Sequence, residues 1–272
     1  MVQSLNIVPS DASVTVDRRS NALVVAGPAS LADQIRVLVE RLDTRDAGIA
    51  SAVETLKYAD ATALADVILH DRLIAPEILA EAGPQARVIE TGKTGFGPAM
   101  GQDEINARIV AHAQTGARVL RLKSGDPTVF GRLDEEIEAC DAAHIRWQIL
   151  PGLTAASAAV AAIGQSLTQR GRNSSVRLLT GHDMAGFADH DWAALARPGE
   201  VAAIYMGKKS ARFVQGRLIM HGADRATPVT LVENASRPDQ RILATTLDRL
   251  PSDLAAAGLT GPALTLYGLA PR

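Results

Sequence analysis

Ser124, Gly125, Asp126 and Pro127 follow directly on the apolar run Val119–Leu122, a combination suited to holding a small polar ligand. No bulky side chain in that loop blocks approach to its backbone donors, and Asp126 adds a carboxylate. Open α/β sheets bind ligands where strands end and the chain turns. A loop aspartate after a strand serves equally as a turn or helix cap, so Asp126 alone leaves both readings standing. Gly125 and Pro127, which shape an exposed bend, favour the ligand.

Other segments carry chemistry of the same kind. Thr91-Gly92-Lys93-Thr94 resembles the tail of a phosphate-binding P-loop, but that motif needs a glycine where position 87 is Arg, which argues against a P-loop nucleotidase. Lys93 is then either a cation held at a strand end or a surface lysine. Thr154 precedes the Ala-rich helical stretch Ala155–Ala162. Free N–H groups at such a start would receive a carboxylate or phosphate, while the small residues equally suit close packing. His182 and His190 stand near Asp191 without metal-ligand spacing, so no metal site is expected. There is no recognisable Ser-His-Asp arrangement, and no Gly-x-Gly-x-x-Gly follows a strand, which leaves a Rossmann dinucleotide site little support. Asp134-Glu135-Glu136 reads as the acidic first turn of a helix.

Seven short apolar runs end in polar, charged or small residues of this sort. Val67–Leu69 leads into His70-Asp71-Arg72, Arg87–Glu90 into Thr91-Gly92-Lys93, and Val119–Leu122 into Lys123–Pro127. Trp147–Leu150 leads into Pro151–Thr154, Val176–Leu179 into Thr180-Gly181-His182, Val201–Tyr205 into Met206-Gly207, and Val229–Val232 into Glu233-Asn234-Ala235. Their alternation with helical patterns predicts βα units, a largely parallel sheet and a ligand cleft along its carboxyl edge. Upstream, Ser13–Asp17 and Ala22–Ala26 predict two strands around a polar turn. Ser30 is placed to cap a helix carrying Leu31, Ile35, Leu38, Val39 and Leu42, and residues 44–49 form a candidate linker.

The 272 residues suffice for two domains, and 47% hydrophobic with 21% charged residues is ordinary for a soluble globular protein. Aromatic residues make up only 3%, so aliphatic side chains and alanine must fill the core. A net charge of −2 argues against a general nucleic-acid binder, and Cys140, being alone, forms no intramolecular disulfide. No apolar run is long enough to span a bilayer, and Met1-Val2-Gln3-Ser4 begins no signal peptide. The expectation is a cytoplasmic protein with neither membrane nor nucleic-acid partners.

Residues 65–73, 90–93, 121–127, 151–157 (Pro-Gly-Leu-Thr-Ala-Ala-Ser), 178–182, 205–207 and 232–234 together resemble, in family order, the uroporphyrinogen-III C-methyltransferases among the tetrapyrrole methylases. The resemblance covers about residues 65–272. It implies a two-domain α/β tetrapyrrole-methylase-like fold, dimeric as a rule, acting with S-adenosyl-L-methionine on a small-molecule tetrapyrrole to make precorrin-2 for siroheme or cobalamin. Carried over by position, Asp71 would accept a proton and Lys93 donate one. Ser124, Gly125, Asp126, Val129, Thr154, Ala155, Met206 and Ala235 would contact the methyl donor. Eight substrate carboxylates would call on cations such as Arg72, Lys93, Arg121, Lys123, Arg132, Arg170 and Arg172.

The opening is atypical. The family begins with a strand followed by Gly-x-Gly-Pro-Gly-Asp-Pro, which is absent here; instead residues 14–27, and a helix to Asp43, resemble a periplasmic ring subdomain of a bacterial secretin. The expected organisation is a secretin-like segment at 1–65, an N-terminal methylase domain at 66–165 and a C-terminal one at 166–272. At the join the secretin pattern wants residues 61–69 helical, whereas the methylase pattern wants Val67–Leu69 as strand. A non-catalytic assembly module, self-associating through the secretin-like segment, is the alternative reading.

Overall fold

The structure, a computed structural model, describes residues 13–17, 22–26, 61–92 and 100–272. Lys93, the helix expected over residues 31–42 and the linker at 44–49 lie outside these residues. Two compact units divide the chain: Met1–Ile68, Ala75–Val88 and Arg118–Leu120 form one, and Leu69–Ile74, Ile89–Ala117 and Arg121–Arg272 the other.

In the first unit β1 (Ser13–Asp17) and β2 (Ala22–Ala26) pair antiparallel, with Ser13 opposite Ala26 and Asp17 opposite Ala22, as the polar turn between them predicts. At the join both sequence patterns are partly met: residues 61–64 are helical and β3 (Val67–His70) begins three residues later. Asp66, between them, accepts hydrogen bonds from the Arg118 amide (2.8 Å), Nε (3.1 Å) and Nη2 (2.9 Å). That guanidinium pulls the Asp66 carboxyl down to about 2. Helix α1 (Pro76–Ala80) carries proline at its start, where the missing N–H costs nothing.

A three-stranded sheet has the order β4-β3-β5, with β4 (Arg87–Glu90) at one edge and β5 (Val119–Leu122) at the other. Hydrogen bonds advance in one sense along both pairs, from Asp66 to Asp71 against Arg118 to Leu122 and from Asp66 to His70 against Arg87 to Thr91, so the sheet is parallel. β3 is buried throughout, as a central strand should be.

The second unit continues with α2 (Gln102–Gln114), α3 (Leu133–Ala142), α4 (Ala155–Ala162), β6 (Arg177–Thr180), the short hairpin β7 (His182–Asp183) and β8 (Gly186–Phe187), and α5 (Trp192–Leu195). Then come β9 (Ala202–Tyr205), α6 (Gly207–Met220), β10 (Pro228–Glu233), β11 (Arg241–Thr246), α7 (Leu250–Ala257) and β12 (Ala263–Tyr267). Five of these strands form a sheet of order β11-β10-β12-β9-β6. Only β6 and β9 pair in parallel; the other three pairs are antiparallel. This corrects the expectation of a largely parallel sheet. Residues 234–240 are too few for a parallel crossover, so β10 and β11 form a hairpin, and β12 inserts antiparallel between β10 and β9.

Trp147–Leu150, expected as a strand, is not one: Trp147 and Leu150 are exposed. The indole Nε1 donates to Asp141 Oδ1 at 2.8 Å, holding Trp147 to the end of α3 rather than in a ladder. The other six runs form strands within a residue or two of expectation.

Alternate residues of the five-stranded sheet face two cores. Ala202, Ile204, Val229, Leu231 and Tyr267 pack with Trp192, Val214, Leu218 and Leu250 of α5, α6 and α7. Val201, Ala203, Val232, Leu264 and Leu266 pack with Ala156, Ala159 and Val160 of α4. Alanine on both sides of the α4 contact lets helix and sheet approach closely, which is how a core with few aromatic residues closes its gaps.

Candidate active site

Parallel strand order delivers Asp71 and Lys123 to the same edge of the smaller sheet. Asp71, one residue past β3, is one-third exposed, and its Oδ1 accepts from Arg121 Nη2 at 2.7 Å. Its Oδ2 lies 3.4 Å from the Ser124 amide, which opens the small-residue loop. Arg121 is fixed from several sides: Nη1 donates to Leu122 O (3.0 Å) and Leu69 O (3.3 Å), and Nε to Glu136 Oε1 (3.0 Å). Lys123 Nζ donates to the same Glu136 oxygen at 2.8 Å, and the Lys123 and Glu136 side chains are 7% and 6% exposed. Burial pushes the Lys123 ammonium below the ordinary lysine range, opposed by its bond to Glu136.

This geometry corrects one expectation. Arg121 and Lys123, expected as cations for substrate carboxylates, turn to Asp71 and Glu136 instead. Glu136 does stand in the first turn of α3 but is buried, unlike Glu135, which pairs with exposed Arg132 at 2.6 Å. The acidic run concealed it, because nothing in Asp-Glu-Glu marks which carboxylate faces inward.

The loop after β5 is tightly folded. Gly125 has φ +79°, and a side chain there would point at Leu153 O and Ala155 N, so this turn lies against the start of α4. Asp126 Oδ1 accepts from Thr128 N (2.9 Å) and Thr128 Oγ1 (2.7 Å), the turn-forming role weighed for it, with Oδ2 outside those bonds. Val129 donates its amide to Asp126 O at 3.1 Å. Phe130 follows in the left-handed region, φ +50°, its ring 5.0 Å from that of Tyr205.

Thr154 stands at the cap position of α4 with extended backbone, yet its side chain does not cap the helix. Its Oγ1 bonds the Tyr205 hydroxyl, which also accepts the Ala156 amide at 3.2 Å. Tyr205 thus ties the start of α4 to the end of β9. Met206 follows at φ +55°, 53% exposed, its carbonyl 3.2 Å from His182 Nδ1. Ala155, Tyr205 and Ala235 pack against the same α4-side core, which brings two of the expected donor contacts, Ala155 and Ala235, to one cluster. Arg237, in the loop after β10, donates to Leu73 O. Tyr205 stands in one of the stretches that resemble the family, whereas Phe130 and Arg237 had no distinguishing sequence signal beyond adjacency to these loops.

His190 Nε2 pairs with Thr180 O at 2.8 Å, and Asp191 caps α5 through the Ala194 amide at 3.0 Å. Among the described residues no group of His, Cys, Asp or Glu could hold a metal ion, and no helix is long and apolar enough to cross a membrane.

The Asp71–Arg121 pair and the small-residue loop both stand at the carboxyl ends of parallel strands, the place where open α/β sheets bind ligands. The family is narrower than that. The model of the tetrapyrrole (corrin/porphyrin) methylases matches residues 50–251, and the chain belongs to this family. It is 42% identical over 204 residues to the siroheme synthase of Azotobacter vinelandii, covering 75% of this chain and 44% of the relative. With the siroheme synthase of Edwardsiella ictaluri the identity is 38% over 253 residues, 93% of this chain and 50% of the relative. The chain therefore spans about half the length of the curated relatives it matches. Among solved structures it is similar to uroporphyrin-III C-methyltransferase from Thermus thermophilus complexed with S-adenyl homocysteine, with TM-score 0.67, 29% identity and coverage of 80% of this chain and 92% of that one. The mixed α/β fold is that of these tetrapyrrole methyltransferases. The secretin-like segment and the assembly-module reading receive no support from these comparisons.

Proposed function

We propose that this chain methylates carbon atoms of uroporphyrinogen III, using S-adenosyl-L-methionine, to give precorrin-2 for siroheme or cobalamin synthesis. The observation that carries this reading is the Asp71 carboxylate beside the Ser124 amide in a chain of the tetrapyrrole methylase family. Tetrapyrrole methylases use S-adenosylmethionine. When bound, this donor supplies an electrophilic methyl group on a sulfonium sulfur.

The residues suit such a donor. The Ser124–Gly125 loop offers backbone amides to a ligand, Asp126 has Oδ2 for a ligand hydroxyl, and exposed Met206 offers an apolar contact. Ala155, Val129, Thr154 and Ala235 complete the proposed lining. The chain's task is chiefly to hold donor and pyrrole carbon in line, because placement supplies much of the acceleration of a two-substrate displacement. Methylation leaves protons to be redistributed on the macrocycle. Asp71 accepts a proton and Lys93 donates one in this proposal. Arg121 keeps the Asp71 carboxylate oriented; exposed Arg170 remains for substrate carboxylates, and Arg72, also exposed, would exchange Glu90, 3.6 Å from its Nε, for one of them.

The test is incubation of the purified chain with uroporphyrinogen III and S-adenosylmethionine, followed by mass spectrometry. A doubly methylated product is expected. No product at high protein concentration, with both substrates intact, overturns the reading.

A further inference from the structure

Glu136 is a buried carboxylate for which a helix first turn gives no reason. Its Oε1 accepts from three groups on two different elements: Lys123 Nζ at 2.8 Å, Arg121 Nε at 3.0 Å and Gln102 Nε2 of α2 at 3.2 Å. Arg121 then reaches away from Glu136 to Asp71 with Nη2. The four charged groups Asp71, Arg121, Lys123 and Glu136 sum to zero, and burying a carboxylate this deeply is tolerable only when it is fully paired. One planar guanidinium therefore has its Nε edge on Glu136 and its Nη2 on Asp71, and the rigid fork passes the position of one carboxylate to the other.

We propose that Glu136 is a positioning residue for Asp71, acting through Arg121. By gripping Nε and Lys123 it fixes where Nη2 points and takes up the second positive charge, so Asp71 keeps one directed side-chain partner, and its second oxygen faces only the Ser124 amide at 3.4 Å. Without Glu136, Arg121 and Lys123 both turn to Asp71 and close over the atom that must accept a proton. The effect on rate rests on the methyltransferase reading; the link between the two carboxylates does not.

The experiment compares the full chain with Glu136→Gln and Glu136→Asp. The carboxyl carbon signal of Asp71 is read by NMR in 13C-aspartate-labelled protein, assigned by its loss in Asp71→Asn. Affinity for S-adenosylhomocysteine is read by calorimetry. In Glu136→Gln the Asp71 signal is expected to move while S-adenosylhomocysteine affinity stays within about twofold. The kcat is expected to fall about tenfold at little-changed KM, a part of the acceleration a well-placed base gives. Glu136→Asp restores the charge one methylene short, and is expected to recover most of kcat and to shift the Asp71 signal less. An unmoved Asp71 signal in Glu136→Gln overturns the proposal, as does a loss of donor affinity equal to the loss of kcat. Should Glu136→Gln fail to fold, an unmoved signal in Glu136→Asp overturns it. If the unaltered chain makes no methylated product, the methyltransferase reading falls, and the Asp71 signal still decides the role of Glu136.

Discussion

The Tyr205 hydroxyl accepts the amide of Ala156 at 3.2 Å, joining the end of β9 to the first turn of α4. A helix begins with four N–H groups that have no partner of their own, and here one of them is met from another element while Thr154 faces the same phenol. The local bond thereby sets the height of α4 against the loop that carries Gly125.

Removing that hydroxyl should loosen the corner. Tyr205→Phe keeps the ring against Phe130 but leaves the Ala156 amide and Thr154 Oγ1 unmatched. A loss of about 1 kcal/mol in urea unfolding is expected, with weaker S-adenosylhomocysteine binding by calorimetry. Unchanged stability and affinity would show the bond to be incidental.

Asp71→Asn preserves shape but removes the proton acceptor and the charge facing Arg121. Under the proposed function kcat should fall about a hundredfold or more, with S-adenosylhomocysteine affinity retained. Product formation in single-turnover mixing is the measurement; a rate close to that of the unaltered chain removes Asp71 from the reaction.

Asp66 gives a pH dependence of stability. Its folded carboxyl sits at about 2, held down by the Arg118 hydrogen bonds, against an ordinary value of 3.8. A depressed carboxyl stabilises the fold above its unfolded pKa and loses that contribution as pH falls through the folded one. The Asp66 contribution should be complete above about pH 5 and be lost progressively as pH falls toward about 1, most steeply between the two pKa values. Arg118→Ala should abolish this acid limb, leaving the unfolding midpoint flatter between pH 4 and 2 by circular dichroism.

Gly181 follows β6 and has no room for a side chain: a Cβ would meet the Met206 carbonyl oxygen at 2.8 Å and the Gly207 Cα at 3.1 Å, as well as Ser210 Oγ. Gly181→Ala is expected to cost about 1–3 kcal/mol and to displace Met206. Lower thermal stability together with weaker S-adenosylhomocysteine binding would report both effects, and an unperturbed protein would contradict the close approach.

Six of the ten strands in the methylase-like part, the small-residue loop at Ser124–Asp126 and the helix from Ala155 were all legible in the sequence, because apolar runs ending in glycine, proline and acids are local signals. Trp147–Leu150 shows the limit: four residues of the right type do not make a strand when no neighbouring strand accepts their hydrogen bonds. The antiparallel insertion of β12 between β10 and β9 was equally beyond local pattern, since pairing partners far apart in the chain are chosen by which faces bury together. The family motifs pointed to Asp71 and the donor loop, and the tertiary structure decided their company. Arg121 and Lys123 look like surface cations in the sequence; the fold brings Glu136 from a different element within 3.0 Å of both, and burial then commits their charges to one another. Sequence by itself determined which residue types stand at the strand ends. Only the tertiary structure decided which of them face each other, because charge pairing in a buried site depends on distances between elements that no local spacing contains.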